Sequence, residues 1–183
     1  MQLVMALQGV FASSGNACVC PYVSIDEEYR AIVLDGEVRL VYRKVRPVVM
    51  GDGESTVAEL CRRARLDGGG VPLMPDGVEP GDVLDAGVQL FSEWRHNLVR
   101  GAVASMELGD GLREGICSLA LDATRALDVR FASVDVILSG GSLQVLEVNG
   151  TVIMERILRQ DAELYAIGKA IYADAIELLL ADG

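Results

Sequence analysis

The chain has 183 residues, 27 of them acidic and 16 basic, for a net charge of −11. So acidic a balance argues against non-specific binding to nucleic acid or an anionic membrane, but not against a nucleotide site, which needs only a few local cations and a metal. Hydrophobic residues make up 51% of the chain, enough for one domain whose core needs no cross-links.

Gln2–Phe11 is a short apolar stretch that reads as a strand, broken by Ser13-Ser14-Gly15-Asn16. It has neither the basic start nor the long apolar run of a signal peptide, and no later run approaches membrane-spanning length, so a cytoplasmic protein is expected. Ala17–Val23 reads as a second strand, ending at a Pro-Tyr kink. Cys18, Cys20, Cys61 and Cys117 include no C-x-x-C pair and read as reduced core thiols. Tyr29–Leu34 and Val38–Tyr42 are strands joined by Asp35-Gly36, a strong hairpin signal. Alternation along the second puts Val38, Leu40 and Tyr42 on one face and Arg39, Val41 and Arg43 on the other. Arg43 and Lys44 fit either a phosphate contact or a solvated strand end, and the second is the favoured reading.

Thr56 and Glu59 have capping-box spacing and open a helix that Asp67-Gly68-Gly69-Gly70 stops. Val71–Gly87, rich in Pro, Gly and Asp, reads as a long surface excursion. Val88–Phe91 is a short strand, and Trp94–Ser105 has no clean period. Leu112–Leu127 is an amphipathic helix with Ile116, Leu119, Ala120, Ala123 and Leu127 as its apolar stripe. The last helix, Asp161–Leu180, buries Leu164, Ile167, Ile171, Ala175 and Leu178.

Between these helices lies FASVDVILSGGSLQVLEVNG, Phe131–Gly150, which reads as a hairpin. A five-residue loop, Ser139–Leu143, pairs Leu138 with Gln144 and sets Asp135 opposite Glu147. Glu147 and Asn149 share a strand face, so two carboxylates and an amide carbonyl converge. Such hard oxygen donors suit Mg²⁺. A half-exposed hairpin with polar residues facing water fits the same pattern. The whole order of elements is α+β, helices on a mainly antiparallel sheet.

Taken together, CVCPYV (Cys18–Val23), EYRAIVLDGEV (Glu28–Val38), VYRK (Val41–Lys44), GDGESTVAEL (Gly51–Leu60), HNLVRGA (His96–Ala102) and SVDVI…LQVLEVNG resemble the C-terminal half of an ATP-grasp ligase domain. The similarity is to the branch holding cyanophycin synthetase, glutathione-synthetase-like ligases and ribosomal-protein glutamate ligases. The resemblance implies an ATP-grasp C-terminal lobe with helices packed on one sheet face. Residues 1–183 would be a partial ATP-grasp domain, without the N-terminal substrate domain and most of the first lobe. It implies an ATP- and Mg²⁺-dependent carboxylate–amine ligase that works through an acyl phosphate, present as a fragment or a split subunit.

By the same resemblance, the hinge with Cys20, Tyr22 and Val23 reads adenine through its backbone, and Glu28 holds the ribose. Arg30 lies near the transferred phosphate and acyl group. Asn97 and Arg100 sit in a loop near the phosphates or substrate, and Asp135, Glu147 and Asn149 bind Mg²⁺. His96 reads as structural. Two departures stand out: Met5-Ala6 where the family often has a lysine, and Gly150-Thr151-Val152-Ile153 where it usually has a Pro-Gly turn. The missing lobe, with its lid and lysines, implies weak or undetectable ATP affinity for the isolated chain and an open, apolar cleft covered by a partner chain or a second copy. Besides ATP, small carboxylate and amine substrates are implied. The alternative is a non-catalytic nucleotide-binding or protein-interaction module.

Overall fold

A computed structural model describes residues 2–17, 19, 21–66, 77–91, 96, 98, 102–160 and 162–181. The chain runs α1 (Gln2–Ser14), β1 (Glu27–Leu34), β2 (Glu37–Val45), β3 (Val48–Met50), α2 (Val57–Leu66), β4 (Gln89–Phe91), β5 (Val103–Ser105), α3 (Asp110–Ala126), β6 (Phe131–Ser139), β7 (Ser142–Asn149), α4 (Glu155–Leu158) and α5 (Ala162–Ala181). Five strands form an antiparallel sheet in the order β5-β2-β1-β6-β7, and β3 pairs with β4 apart from it. This is the expected α+β class.

Two tight turns set the sheet. Asp35 and Gly36 both take positive φ (51° and 78°), as a two-residue hairpin following the strand twist requires. Gly140 and Gly141 do the same at 54° and 79°. Each hairpin then carries a bulge. In the first, Ile32 faces Leu40 but Val33 faces Val38, which leaves Arg39 as the extra residue. That slip moves Val38 onto the face of Val41, against simple alternation, and lets Arg39 pair with Asp174 of α5.

Helices cover both faces, which corrects the one-face expectation. Ile116 and Ala120 of α3 pack on Tyr29, Ala31, Val33, Val41, Val134 and Val136. Leu164 and Ile171 of α5, with Met154 and Ile157, pack on Ile32, Leu40 and Tyr42 of the opposite face. The cause lies in β1, where Ala31–Leu34 is apolar without alternation and buried on both sides; such a strand needs cover on both faces. Tyr172 fastens the crossing, its hydroxyl accepting from Met154 N at 3.0 Å and donating to Val152 O at 3.2 Å.

Two apolar segments near the start also differ from expectation. Gln2–Ser14 is a helix, not a strand, since its Leu, Met, Ala and Gln outnumber its two valines and favour that state. The described residues of Ala17–Val23 carry no strand pairing. On α3 the buried line is Ile116, Ala120 and Thr124, while Leu127 is exposed. The capping box forms: Thr56 N donates to the Glu59 carboxylate at 2.9 Å and Glu59 N to the Thr56 hydroxyl at 3.3 Å. β3, β4 and α2 enclose a small core of Val49, Val57, Leu60 and Cys61. Part of the Val71–Gly87 excursion, and Cys18, lie outside the described residues; Cys117 packs against the main core. No described helix is long and apolar enough to cross a membrane.

Candidate functional site

The helices on the α5 face stop short of one end of the sheet. There the β1–β2 register sets Glu28 opposite Lys44, and the β1–β6 register sets Arg30 opposite Asp135. Neighbours on one face of adjacent strands must touch, so four charged side chains meet in the floor of a cleft of about 990 Å³. Arg30 forks onto Asp135, Nε to Oδ1 and Nη2 to Oδ2, both at 2.6 Å. Lys44 Nζ reaches Asp135 Oδ2 at 2.8 Å and Glu28 Oε1 at 2.5 Å. His96 Nδ1 lies 3.7 Å from the other Glu28 oxygen. The floor of this open end is therefore charged, while exposed Tyr22, Val23, Leu146 and Ile153 also line it, so the cleft is mixed where an apolar one was expected.

The hairpin sets Glu147 directly across from Asp135, as expected, but by another route. The turn has two residues, with Leu138 opposite Leu143, and a bulge between Asp135 and Val136 restores the phase. Without that bulge Leu146 would face Asp135 and Glu147 would point to the α3 side. Glu147 is exposed and accepts from Asn149 Nδ2 at 3.0 Å. Asn149, Tyr22 and Val23 also line the cleft. Cys20, Asn97 and Arg100 lie outside the described residues.

Electrostatics divide the acids. Burial opposes ionisation of Asp135, but the Arg30 hydrogen bond and the Lys44 charge outweigh it and hold the carboxyl below its usual range. The sequence chemistry of two converging carboxylates implies that one of them would be hard to ionise. The raised group is instead Glu28, where burial exceeds what Lys44 returns. Arg30 keeps its proton more firmly than usual: burial works against the charge, but Asp135 more than compensates. His96 falls to about 4, first through burial and then through the Arg46 and Lys44 charges. It is the single histidine of the chain, so one imidazole resonance reports it. NMR titration should find it neutral at pH 6 and protonating near 4; a midpoint at the ordinary 6.5 would mean that the burial or the cations are misplaced.

Lys44 is the residue that sequence reasoning placed wrongly. It is 5% exposed, not a solvated strand end, because it shares its face with Leu40 and Tyr42. That alternation was visible in VYRK. Tyr42 is fully buried, and its hydroxyl finds no hydrogen-bond partner among the described residues.

Among the described residues no three His, Cys, Asp or Glu side chains group to hold a metal. Glu147 and Asn149 offer hard oxygen donors that fit Mg²⁺. Asp135 already accepts three hydrogen bonds, one at Oδ1 and two at Oδ2, which leaves Oδ1 a lone pair for a metal. Among the described residues, four carboxylates (Asp26, Glu28, Asp135, Glu147) and four cations (Arg30, Lys44, Arg46, Arg156) line the cleft. The described lining is thus balanced in charge, although the chain as a whole is strongly acidic.

Residues 82–168 match the RimK-like ATP-grasp domain family. Among solved structures, a bifunctional glutathione synthetase from Pasteurella multocida is similar at TM-score 0.53 and 22% identity, over 73% of this chain and 21% of that one. A D-alanine–D-alanine ligase from Bacillus anthracis is similar at TM-score 0.52 and 14% identity, over 100% of this chain and 49% of that one. The same ligase complexed with ATP gives TM-score 0.54 and 16% identity, over 100% and 50%. The chain thus spans about half the length of the D-alanine–D-alanine ligase and about a fifth of the glutathione synthetase. No curated protein matches in sequence.

Proposed function

We propose, from the match of residues 82–168 to the RimK-like ATP-grasp domain family and the likeness in fold to the glutathione synthetase and the D-alanine–D-alanine ligase, that its cleft serves an ATP- and Mg²⁺-dependent carboxylate–amine ligase. The observation that carries the reading is convergence. Glu28 and Arg30 from β1, Asp135 from β6, and Glu147 and Asn149 from β7 come from segments about a hundred residues apart and line one cleft. In this reading Tyr22 and Val23 border the adenine, Glu28 takes the ribose hydroxyls, and Glu147 and Asn149 hold Mg²⁺. The metal, when bound, neutralises phosphate charge. Arg30 supplies a fixed positive group near the substrate carboxylate, whose oxygen takes the γ-phosphoryl group as ADP leaves and whose acyl carbon the amine then attacks as inorganic phosphate leaves. Catalysis of this kind is positioning and charge stabilisation, with no protein nucleophile. The chain acts with a further lobe, supplied by another segment or another chain, which its coverage of half a ligase supports.

A non-catalytic binding module is the second reading. What favours it is Asp135, already paired with Arg30 and Lys44.

Glu147→Gln separates the two. Glu147 is exposed, so the change should alter folding stability by less than about 0.5 kcal/mol. Calorimetry should show the Mg²⁺-dependent part of ATP affinity lost, and turnover should vanish in the complete assembly. Unchanged Mg²⁺-dependent binding in this variant would sink the metal assignment.

A further inference from the structure

The four cations of the cleft are not alike. Arg30 and Lys44 are tied to Asp135 and Glu28. Among the described residues, no carboxylate lies within ion-pairing distance of Arg46 or Arg156. Arg156 is exposed on the short α4. Arg46 is half-buried at the junction where β2 gives way to β3, and its guanidinium carbon lies 4.2 Å from the centre of the Phe91 ring. Phe91 belongs to β4, so the small sheet provides a platform for a cation that lines the cleft of the large one.

A guanidinium held over an aromatic ring is attracted through its charge and keeps its N–H donors for paired oxygens of a phosphate or carboxylate. The placement also runs against the charge of the chain. With 27 acids to 16 bases, a half-buried cation here has no acid beside it among the described residues, and a charge withdrawn from water needs a counter-group.

We propose that Arg46 binds an oxyanion of the ligand in this cleft, with Phe91 as the residue that positions its guanidinium. The inference rests on the nucleotide–carboxylate reading of the cleft. The oxyanion is a phosphate group of the nucleotide or the carboxylate of the second substrate.

Titration calorimetry on the full chain tests it, with inorganic tripolyphosphate, MgATP, adenosine and glutarate as probes. The wild type is compared with Arg46→Gln, Arg46→Lys and Phe91→Leu. If the oxyanion is phosphate, Arg46→Gln weakens tripolyphosphate and MgATP about tenfold or more and leaves adenosine unchanged. If it is a carboxylate, glutarate alone weakens by that factor. Arg46→Lys keeps the charge without the fork, and Phe91→Leu keeps the fork without its platform. Each should give a smaller loss, about threefold, for the same probe. Arg46→Gln binding every probe as the wild type does overturns the proposal; if MgATP binds well there, the nucleotide reading stands without it. Arg46-dependent tripolyphosphate binding with no binding of adenosine, and MgATP no tighter than tripolyphosphate, keeps Arg46 and overturns the nucleotide reading. A wild type that binds none of the probes overturns both.

Discussion

Asp135→Asn should cost about 3–5 kcal/mol of stability at neutral pH, the usual penalty for removing one partner of a buried ion pair. Asp135 is 2% and Lys44 5% exposed. With the carboxylate gone, Arg30 loses the acceptor for its forked bond and Lys44 keeps only Glu28, so positive charge stays in the floor without its counter-ion. The same pair makes stability depend on acid. The Asp135 carboxyl titrates below its unfolded value, so its contribution is complete above about pH 4 and is lost as pH falls through the lower, folded value. Urea melts at pH 7 should show the full loss in the variant. Melts near pH 3 should bring the two proteins closer together. A difference under about 1 kcal/mol at pH 7 would mean that the ion pair is not the buried one described.

Gly51→Ala should cost about 2–3 kcal/mol, through crowding of a tightly packed site. A Cβ there would stand 2.3 Å from Asp85 O and 2.7 Å from Leu84 Cβ. Backbone cannot swing aside as a side-chain tip does. Gly51 N also donates to Val88 O at 2.8 Å, and Gly51 O accepts from Gly87 N at 2.9 Å, so moving the residue breaks the closure of the loop. The damage should stay in the small unit: hydrogen exchange should speed up at Val49 and Val57 and hardly at all at Ala31 or Val134. Uniform acceleration in both would show that the small core and the large sheet unfold as one.

What the sequence displayed plainly was local. Asp35-Gly36, the Thr56–Glu59 box and the α5 stripe each rest on rules spanning a few residues, and each appears in place. The site acids were legible for the same reason, because polar residues inside apolar strands announce themselves. What was hidden depends on tertiary arrangement. Lys44 ends a strand and looked solvated, yet the residues across from it on β1 and β6 make it the centre of the floor. Arg46 carries no signal by itself, since Phe91 comes to it from 45 positions away. The two-sided burial of β1 was legible in its unbroken AIVL. The path of α5 to the far face was not, because it follows from a linker after β7 whose direction no local pattern sets.

The hairpin of β6 and β7 carries a last consequence. Its bulge lies between the turn and the Asp135–Glu147 pair, so the face that Glu147 presents is fixed by pairing on its own side of the bulge. The Gly140-Gly141 tip, in turn, lies outside that register and is tied to the cleft by the 2.9 Å hydrogen bond from Gly140 N to Asp26. No described atom would meet a Cβ built at either glycine. The tip is therefore a natural splice point, where an epitope, a fluorophore-bearing peptide or the ends of a circular permutant could be inserted while the acidic register is kept. Removing Leu146, the extra residue of the bulge, would keep the register too: Val145 would stay opposite Val136 and Glu147 opposite Asp135, in a regular ladder.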